Sequence, residues 1–225
     1  MKLFKKHPRL EEFIKNETTA LKQVNNINVI KCYNNIKTVN NCYLVYEFCN
    51  GGTLDDLIYD KNCLTEKDAL NFFRQIINGM KGLVDNRILH RDLKPANILL
   101  HNGIIKIADF GFCQSVNDIY QMTGTMIGSP VYMAPELLNG FDYNTKADIW
   151  SMGVMLYEML FGYPPYAAAH IGKIIDMIYG QPLDFSKEVN PTVTEKTKIL
   201  IKKLLKTNLH GRIDWPELFT YDFSW

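Results

Sequence analysis

The run Cys49-Asn50-Gly51-Gly52 is the feature that most limits how this chain can fold. An asparagine followed by two glycines favours neither a continued strand nor a continued helix, so the run divides the chain into two parts of different pattern. Before it, apolar residues at Leu10, Phe13, Ile14, Leu21 and Val24 predict a helix over 10–24, and two β-rich runs follow at 29–36 and 42–48. After it, helices dominate. A small sheet-plus-helix unit, a Gly-Gly hinge and a larger helical unit predict an α+β fold in two lobes.

The clearest helix is predicted over 66–85. Thr65 can cap it, with Asp68 in capping-box register, and its core stripe is Leu70, Phe73, Ile76, Ile77, Met80, Leu83 and Val84. Two short strands are predicted at 97–100 and 104–108, joined through the turn pair Asn102-Gly103. Further helices are predicted at 146–161, 170–179 and 195–206, the last starting at Thr194. Its lysines, from Lys196 to Lys206, read as a solvated face.

Charge and cysteine usage narrow the function classes. Lys+Arg number 25 against 24 Asp+Glu, a net charge of +1 across 225 residues, so no strong field favours nucleic acid or an anionic membrane. The most apolar segment, 150–166, is broken by Glu158 and a Pro-Pro pair and is too short to span a bilayer. The basic start is followed by no apolar run, so it does not read as a signal peptide. Five cysteines without a C-x-x-C spacing fit a reducing compartment, and the expected location is cytoplasmic.

Chemistry concentrates in an ordered series: His90-Arg91-Asp92-Leu93-Lys94-Pro95-Ala96-Asn97, Asp109-Phe110-Gly111, Gly128-Ser129-Pro130, Ala134-Pro135-Glu136, Asp148-Ile149-Trp150, and finally Arg212. In this order the series resembles the eukaryotic protein kinase family, serine/threonine type, and the resemblance runs from Lys2 to the last helix. It implies a kinase-like α+β fold with a partial β-rich N-lobe over 1–49 and a mainly helical C-lobe over 50–225. It also implies ATP-dependent transfer of a phosphoryl group to Ser or Thr of a protein, with Mg2+. The segment around Phe112, the stretch 128–136 and the ending 212–219 are most similar to the autophagy-initiating kinases, although calcium/calmodulin-type and mitotic kinases share much of them.

The resemblance assigns roles. Asp92 is the carboxylate near the substrate hydroxyl, Lys94 the lysine on the transferring phosphate, and Asn97 and Asp109 the magnesium ligands. Tyr46 is the bulky residue at the back of the adenine pocket, Glu47 and Cys49 offer backbone hydrogen bonds to adenine, and Leu99 packs under the ring. Cys49 has no basic sequence neighbour to activate its thiol. Glu136 and Arg212 form a buried ion pair, and Asp148 holds the catalytic-loop backbone. Thr125, rather than Ser129, takes the activating phosphate, which pairs with Arg91. Ser129 bonds the catalytic carboxylate. Gln114 and Phe13 stand where strongly phosphate-dependent kinases often place basic residues.

Two assignments stay open at the level of sequence. The glutamate that pairs with the ATP-anchoring lysine is Glu17, which puts Leu21 at the core one turn later, with Glu11 and Glu12 as rivals. The lysine is Lys2, in a Met1-Lys2 strand ending, unless Lys2, Lys5 and Lys6 are simply a solvated start. No G-x-G-x-x-G occurs, which predicts either a fragment of a longer kinase or a truncated non-catalytic protein on the same fold. A small-molecule phosphotransferase fits less well, because that class lacks the Gly-Ser-Pro…Ala-Pro-Glu segment. Sequence leaves the oligomeric state unassigned.

Overall fold

The computed structural model describes residues 2–5, 8–185 and 192–223; Met1 of the Met1-Lys2 pair and Lys6 lie outside them. The first part holds β1 (Lys2–Lys5), α1 (Pro8–Gln23), β2 (Cys32–Lys37) and β3 (Asn41–Tyr46). Its antiparallel sheet has the order β1-β3-β2, with Lys2 opposite Leu44. Ile14 of α1 packs with Cys42 and Leu44 of β3 in a small core, as the helical spacing predicts. Strand β2 starts later than the predicted run. Val29 instead stands opposite Ile107 in a parallel bridge, made by the Ile30 N–H to Ile107 O and the Ile107 N–H to Asn28 O, and the β2–β3 register shifts between Cys32 and Asn34.

The rest of the chain opens with α2 (Leu54–Lys61) and α3 (Glu66–Asp85), followed by β4 (Ile88–Leu89), β5 (Ile98–His101), β6 (Ile104–Ile107) and β7 (Gln114–Ser115). Strands β5 and β6 pair as a hairpin through Asn102 and Gly103, both at positive φ as a tight primed turn requires. Thr65 caps α3 by accepting from the Asp68 N–H, and all seven predicted stripe residues are buried. Each such side chain contributes roughly 1.5–3 kcal/mol by leaving water. The complete capping box is at α2, where Thr53 and Asp56 satisfy each other's backbone N–H.

The chain ends in α4 (Pro135–Leu138), α5 (Lys146–Phe161), α6 (Ile171–Gly180), α7 (Glu195–Leu204) and α8 (Trp215–Phe219). Helix α5 is buried along its whole length, which explains an apolar sequence without a polar face. No helix among the described residues is long and apolar enough to cross a membrane. On α7, Lys198 and Lys203 pair with Glu195 and Glu217, as befits a solvated face.

A seam of neutral amides joins the loop after α1 to the helical part. Asn28, 3% exposed, donates through Nδ2 to Gln75 Oε1 (3.2 Å) and Ile105 O (3.1 Å), while Asn78 Nδ2 donates to Asn28 Oδ1 at 2.7 Å. Asn26 Nδ2 donates to Asn78 O at 2.8 Å, and the Ile107 N–H donates to Asn28 O at 2.8 Å. The buried amide of Asn28 thus gains a partner for each of its polar atoms, which is the condition for burying it at low cost.

Candidate active site

The loop from His90 to Asn97 is held from below. Asp148, on α5, accepts the His90 N–H at 2.8 Å and the Arg91 N–H at 2.9 Å, one on each carboxylate oxygen. Arg91 lies at φ 70°, an unfavourable region for a residue with a side chain, and these two bonds hold it there. Burial pushes the Asp148 carboxyl up, opposed by His90 and the two N–H groups, and burial lowers the His90 imidazole, opposed by Asp148. The His90 ring meets Phe110 edge-on at 4.9 Å.

This backbone presents Asp92, 6% exposed, to a closed set of donors. Ser129 Oγ donates to Oδ1 at 2.9 Å, and Asn97 Nδ2 donates to Oδ2 at 3.0 Å. Lys94 Nζ lies 2.9 Å from Oδ2 and donates to Ser129 Oγ at 2.8 Å. Gly128 makes the approach of Ser129 possible: it lies at φ 121°, and a Cβ there would strike the Arg91 carbonyl. Asp148 thus contacts the backbone at His90 and Arg91, and Ser129 contacts the Asp92 carboxylate.

Beside this loop lies a cleft of about 280 Å³. Lys2, Glu17, Tyr46, Asn97, Leu99 and Asp109, all singled out from sequence, line it together with Ile30, Ala96 and Ala108, which were not. Of the three candidate glutamates Glu17 is 1% exposed, whereas Glu11 and Glu12 are exposed. Lys2 Nζ lies 2.7 Å from Asp109 Oδ1 and 3.6 Å from Glu17 Oε2, so it is shared unequally. Tyr46 donates its hydroxyl to Glu17 Oε1 at 2.6 Å. Burial pushes the Glu17 carboxyl up, against the opposing pull of Lys2 and Tyr46.

Glu47 and Cys49 stand outside that lining. The Glu47 carboxylate pairs with Lys106 at 3.0 Å and accepts the Lys31 N–H at 2.8 Å. The Glu47 N–H donates to Lys31 O, so the group left for an adenine is the carbonyl. Burial raises the Cys49 thiol, in keeping with an unreactive side chain.

The donor set suits magnesium. Asn97 spends Nδ2 on Asp92 O and Oδ2, which turns Oδ1 into its available ligand, and Asp109 adds a carboxylate on the same cleft. Two hard oxygen donors with phosphate oxygens to complete the shell are typical of Mg2+ in nucleotide sites.

The segment after Asp109-Phe110-Gly111 is tied to the loop by Arg91. Arg91 donates through Nε to Phe112 O at 2.6 Å and through Nη1 to Gln114 Oε1 at 2.9 Å. Thr123 and Tyr143 exchange backbone bonds, and the Tyr143 hydroxyl donates to Thr125 O at 2.6 Å, leaving the Thr125 side chain exposed. Farther on, Arg212 grips Glu136 with two bonds of 2.7 and 2.8 Å, both side chains buried.

Comparison with known proteins agrees with this geometry. Residues 1–224 match the protein kinase domain family. The chain is similar to serine/threonine-protein kinase atg1 of Dictyostelium discoideum, 34% identical over 98% of this chain and 33% of that protein. It is 35% identical to serine/threonine-protein kinase unc-51 of Caenorhabditis elegans, over 92% of this chain and 25% of that protein. Calcium/calmodulin-dependent protein kinase type I of Schizosaccharomyces pombe is 35% identical, over 95% of this chain and 66% of its own length. The chain thus spans a third or less of the first two relatives. With the match running along the chain, Asn97 and Asp109 lining one cleft and Asp92 bonded to Asn97 beside it, the chain belongs to the protein kinase domain family.

Proposed function

We propose that this chain transfers the γ-phosphoryl group of ATP, with Mg2+, to a serine or threonine hydroxyl of a protein. The observation that carries the reading is the setting of Asp92: a buried carboxylate held by Ser129, Lys94 and Asn97, next to a cleft lined by Lys2, Asn97 and Asp109. Asp92 accepts the proton of the attacking hydroxyl, Lys94 faces the phosphoryl group in flight, and Lys2 holds the other phosphates. Magnesium on Asn97 and Asp109 would neutralise phosphate charge. Ile30, Tyr46 and Leu99 wall the adenine end, with the Glu47 carbonyl and the Cys49 backbone at its edge. The parts 1–49 and 50–225 act as the two lobes around this cleft.

Thr125 belongs to the same reading as a regulatory site. A phosphate there brings about −1.5 to −2 charge toward Arg91. Arg91 already bonds Phe112 O and Gln114 Oε1, so the gain in order is modest. Dephosphorylated and Thr125-phosphorylated protein should differ by less than about tenfold in rate, roughly one charge-assisted bond.

A second reading, a nucleotide-binding protein without transfer, draws on Lys2 lying closer to Asp109 than to Glu17. Incubation with γ-labelled ATP and a mixed protein substrate, followed by phosphoamino-acid analysis, separates the two. Label on serine and threonine supports transfer. Nucleotide binding without label supports the second reading.

A further inference from the structure

Glu17 is a buried carboxylate with uneven support. Its Oε1 accepts the Tyr46 hydroxyl at 2.6 Å. Its Oε2 has no hydrogen-bond partner among the described residues, and Lys2 Nζ stands 3.6 Å away, beyond hydrogen-bond reach. A buried anion in that position needs a donor or it will protonate or move to water. The phenol supplies one from a different element: Tyr46 ends β3, whereas Glu17 lies on α1, so the bond crosses from sheet to helix. Burial and the adjacent Glu17 anion push the phenol well above its ordinary value, so the hydroxyl keeps its proton and can act as donor.

We propose that Tyr46 is a positioning residue, whose hydroxyl holds Glu17 on the cleft so that Glu17 can receive Lys2 and Lys2 can meet the nucleotide phosphates. The inference rests on the reading of Lys2 as the phosphate anchor. It assigns the Tyr46 ring and the Tyr46 hydroxyl separate tasks: the ring is a wall of the cleft, and the hydroxyl acts through Glu17 and Lys2 on a group it never touches.

Tyr46→Phe keeps the ring and removes the hydroxyl. Affinity for Mg-ATP should fall about tenfold, the size of one hydrogen bond to a charged group, while affinity for adenosine, which has no phosphates, stays within about twofold. Amide exchange in α1 between Ile14 and Leu21 should quicken in the same variant. In a Glu17→Gln background, Tyr46→Phe should add less than about twofold to the loss of Mg-ATP affinity, because the two residues act as one unit. Equal losses for Mg-ATP and adenosine would reduce Tyr46 to a wall and overturn the proposal. So would unchanged Mg-ATP affinity with unchanged α1 exchange, or fully additive losses in the double variant. If the unaltered chain binds no Mg-ATP, the reading of the cleft fails instead, and α1 exchange alone then upholds or sinks the tie from Tyr46 to Glu17.

Discussion

The ring of Phe13 occupies the space into which a side chain at Gly111 would project: a Cβ built on Gly111 falls inside it. Gly111 is not among the residues at positive φ, so its lack of a side chain answers to Phe13 rather than to backbone conformation. Phe13 also meets Phe112 edge-on at 5.0 Å and carries Lys2 Nζ 5.5 Å from its centroid. Helix α1 is thereby seated directly on the Asp109-Phe110-Gly111 turn.

Gly111→Ala should accordingly cost about 1–3 kcal/mol, as overpacking does. Adding Phe13→Ala should recover part of that loss, so that the double variant is more stable than the sum of the singles implies. Urea denaturation of the four proteins measures the coupling, and strict additivity would exclude the contact.

Asp92→Asn should reduce phosphoryl transfer roughly 100- to 10,000-fold, the contribution of a positioned proton acceptor. The side chain keeps its shape and Ser129 keeps an acceptor, but the new amide nitrogen faces the donors Asn97 Nδ2 and Lys94 Nζ, so the melting temperature should fall by a few degrees, the cost of about 1–3 kcal/mol for unpaired buried donors. Transfer rate and thermal melting, taken on the same preparation, check both halves.

Glu136→Ala would strand the Arg212 guanidinium, which is fully buried over Trp150. Losing one partner of such a pair costs about 3–5 kcal/mol. Arg212 would retain only backbone acceptors, the carbonyls of Lys146 and Lys206. Denaturant midpoints should fall sharply, while the cleft itself is untouched by the substitution.

Glu158 gives a pH signature. It accepts the Tyr132 hydroxyl at 2.8 Å, and burial pushes its carboxyl from 4.5 up to about 7. Between those values the folded chain holds a proton that the unfolded chain has released, so this residue's contribution to stability declines as pH rises from about 4.5 to about 7 and is level above. Glu158→Gln should therefore be more stable than the unaltered protein at pH 8, by about 3 kcal/mol at most, with the gap closing toward pH 4.5. A stability series across that range tests the sign.

Substrate choice should be permissive toward upstream arginine. At the positions where related kinases place carboxylates for an upstream arginine this chain has Ala96, Val131 and Thr53; of the carboxylates close by, Asp55 is exposed, whereas Asp56 is committed to the N–H and hydroxyl of Thr53. Glu158 is buried under Tyr132. A degenerate peptide library should show less than about tenfold selection for arginine, since one partly solvated pair is worth about 1 kcal/mol or less. Apolar residues near the target should be preferred, facing Val131 and the buried Met133.

Much of this site could be read in the sequence because its residues come in short ordered runs. Asp92, Lys94 and Asn97 sit in one loop, and helix α3 follows its apolar spacing closely. What could not be read depends on register between distant segments. The contact of Phe13 with Gly111 and the bond from Tyr46 to Glu17 need the placement of α1 against β3 and the turn after β6. The run at 29–36 looked like one strand because its residues are strand formers, yet Val29 and Ile30 pair with Ile107 in the other part of the molecule. The complete capping box at Thr53 and Asp56 was legible as a Thr-x-x-Asp spacing, but it lies directly behind two glycines, where a break rather than a helix start is the first expectation.

The amide seam at Asn26 and Asn28 makes the C-terminal end of α1 a pivot. Hydrogen bonds to Gln75, Asn78 and Ile105 clamp the loop after α1, whereas Phe13 and Glu17 lie one to three turns further out along the arm. Displacement of a clamped rod grows with distance from the clamp, so a small tilt moves Phe13 more than Glu17, and Glu17 more than Leu21. Because the clamp contains no ionisable side chain, neither salt nor pH loosens it, and the tilt of α1 is held farther out by Ile14 against β3, by Tyr46 on Glu17 and by Phe13 against Gly111.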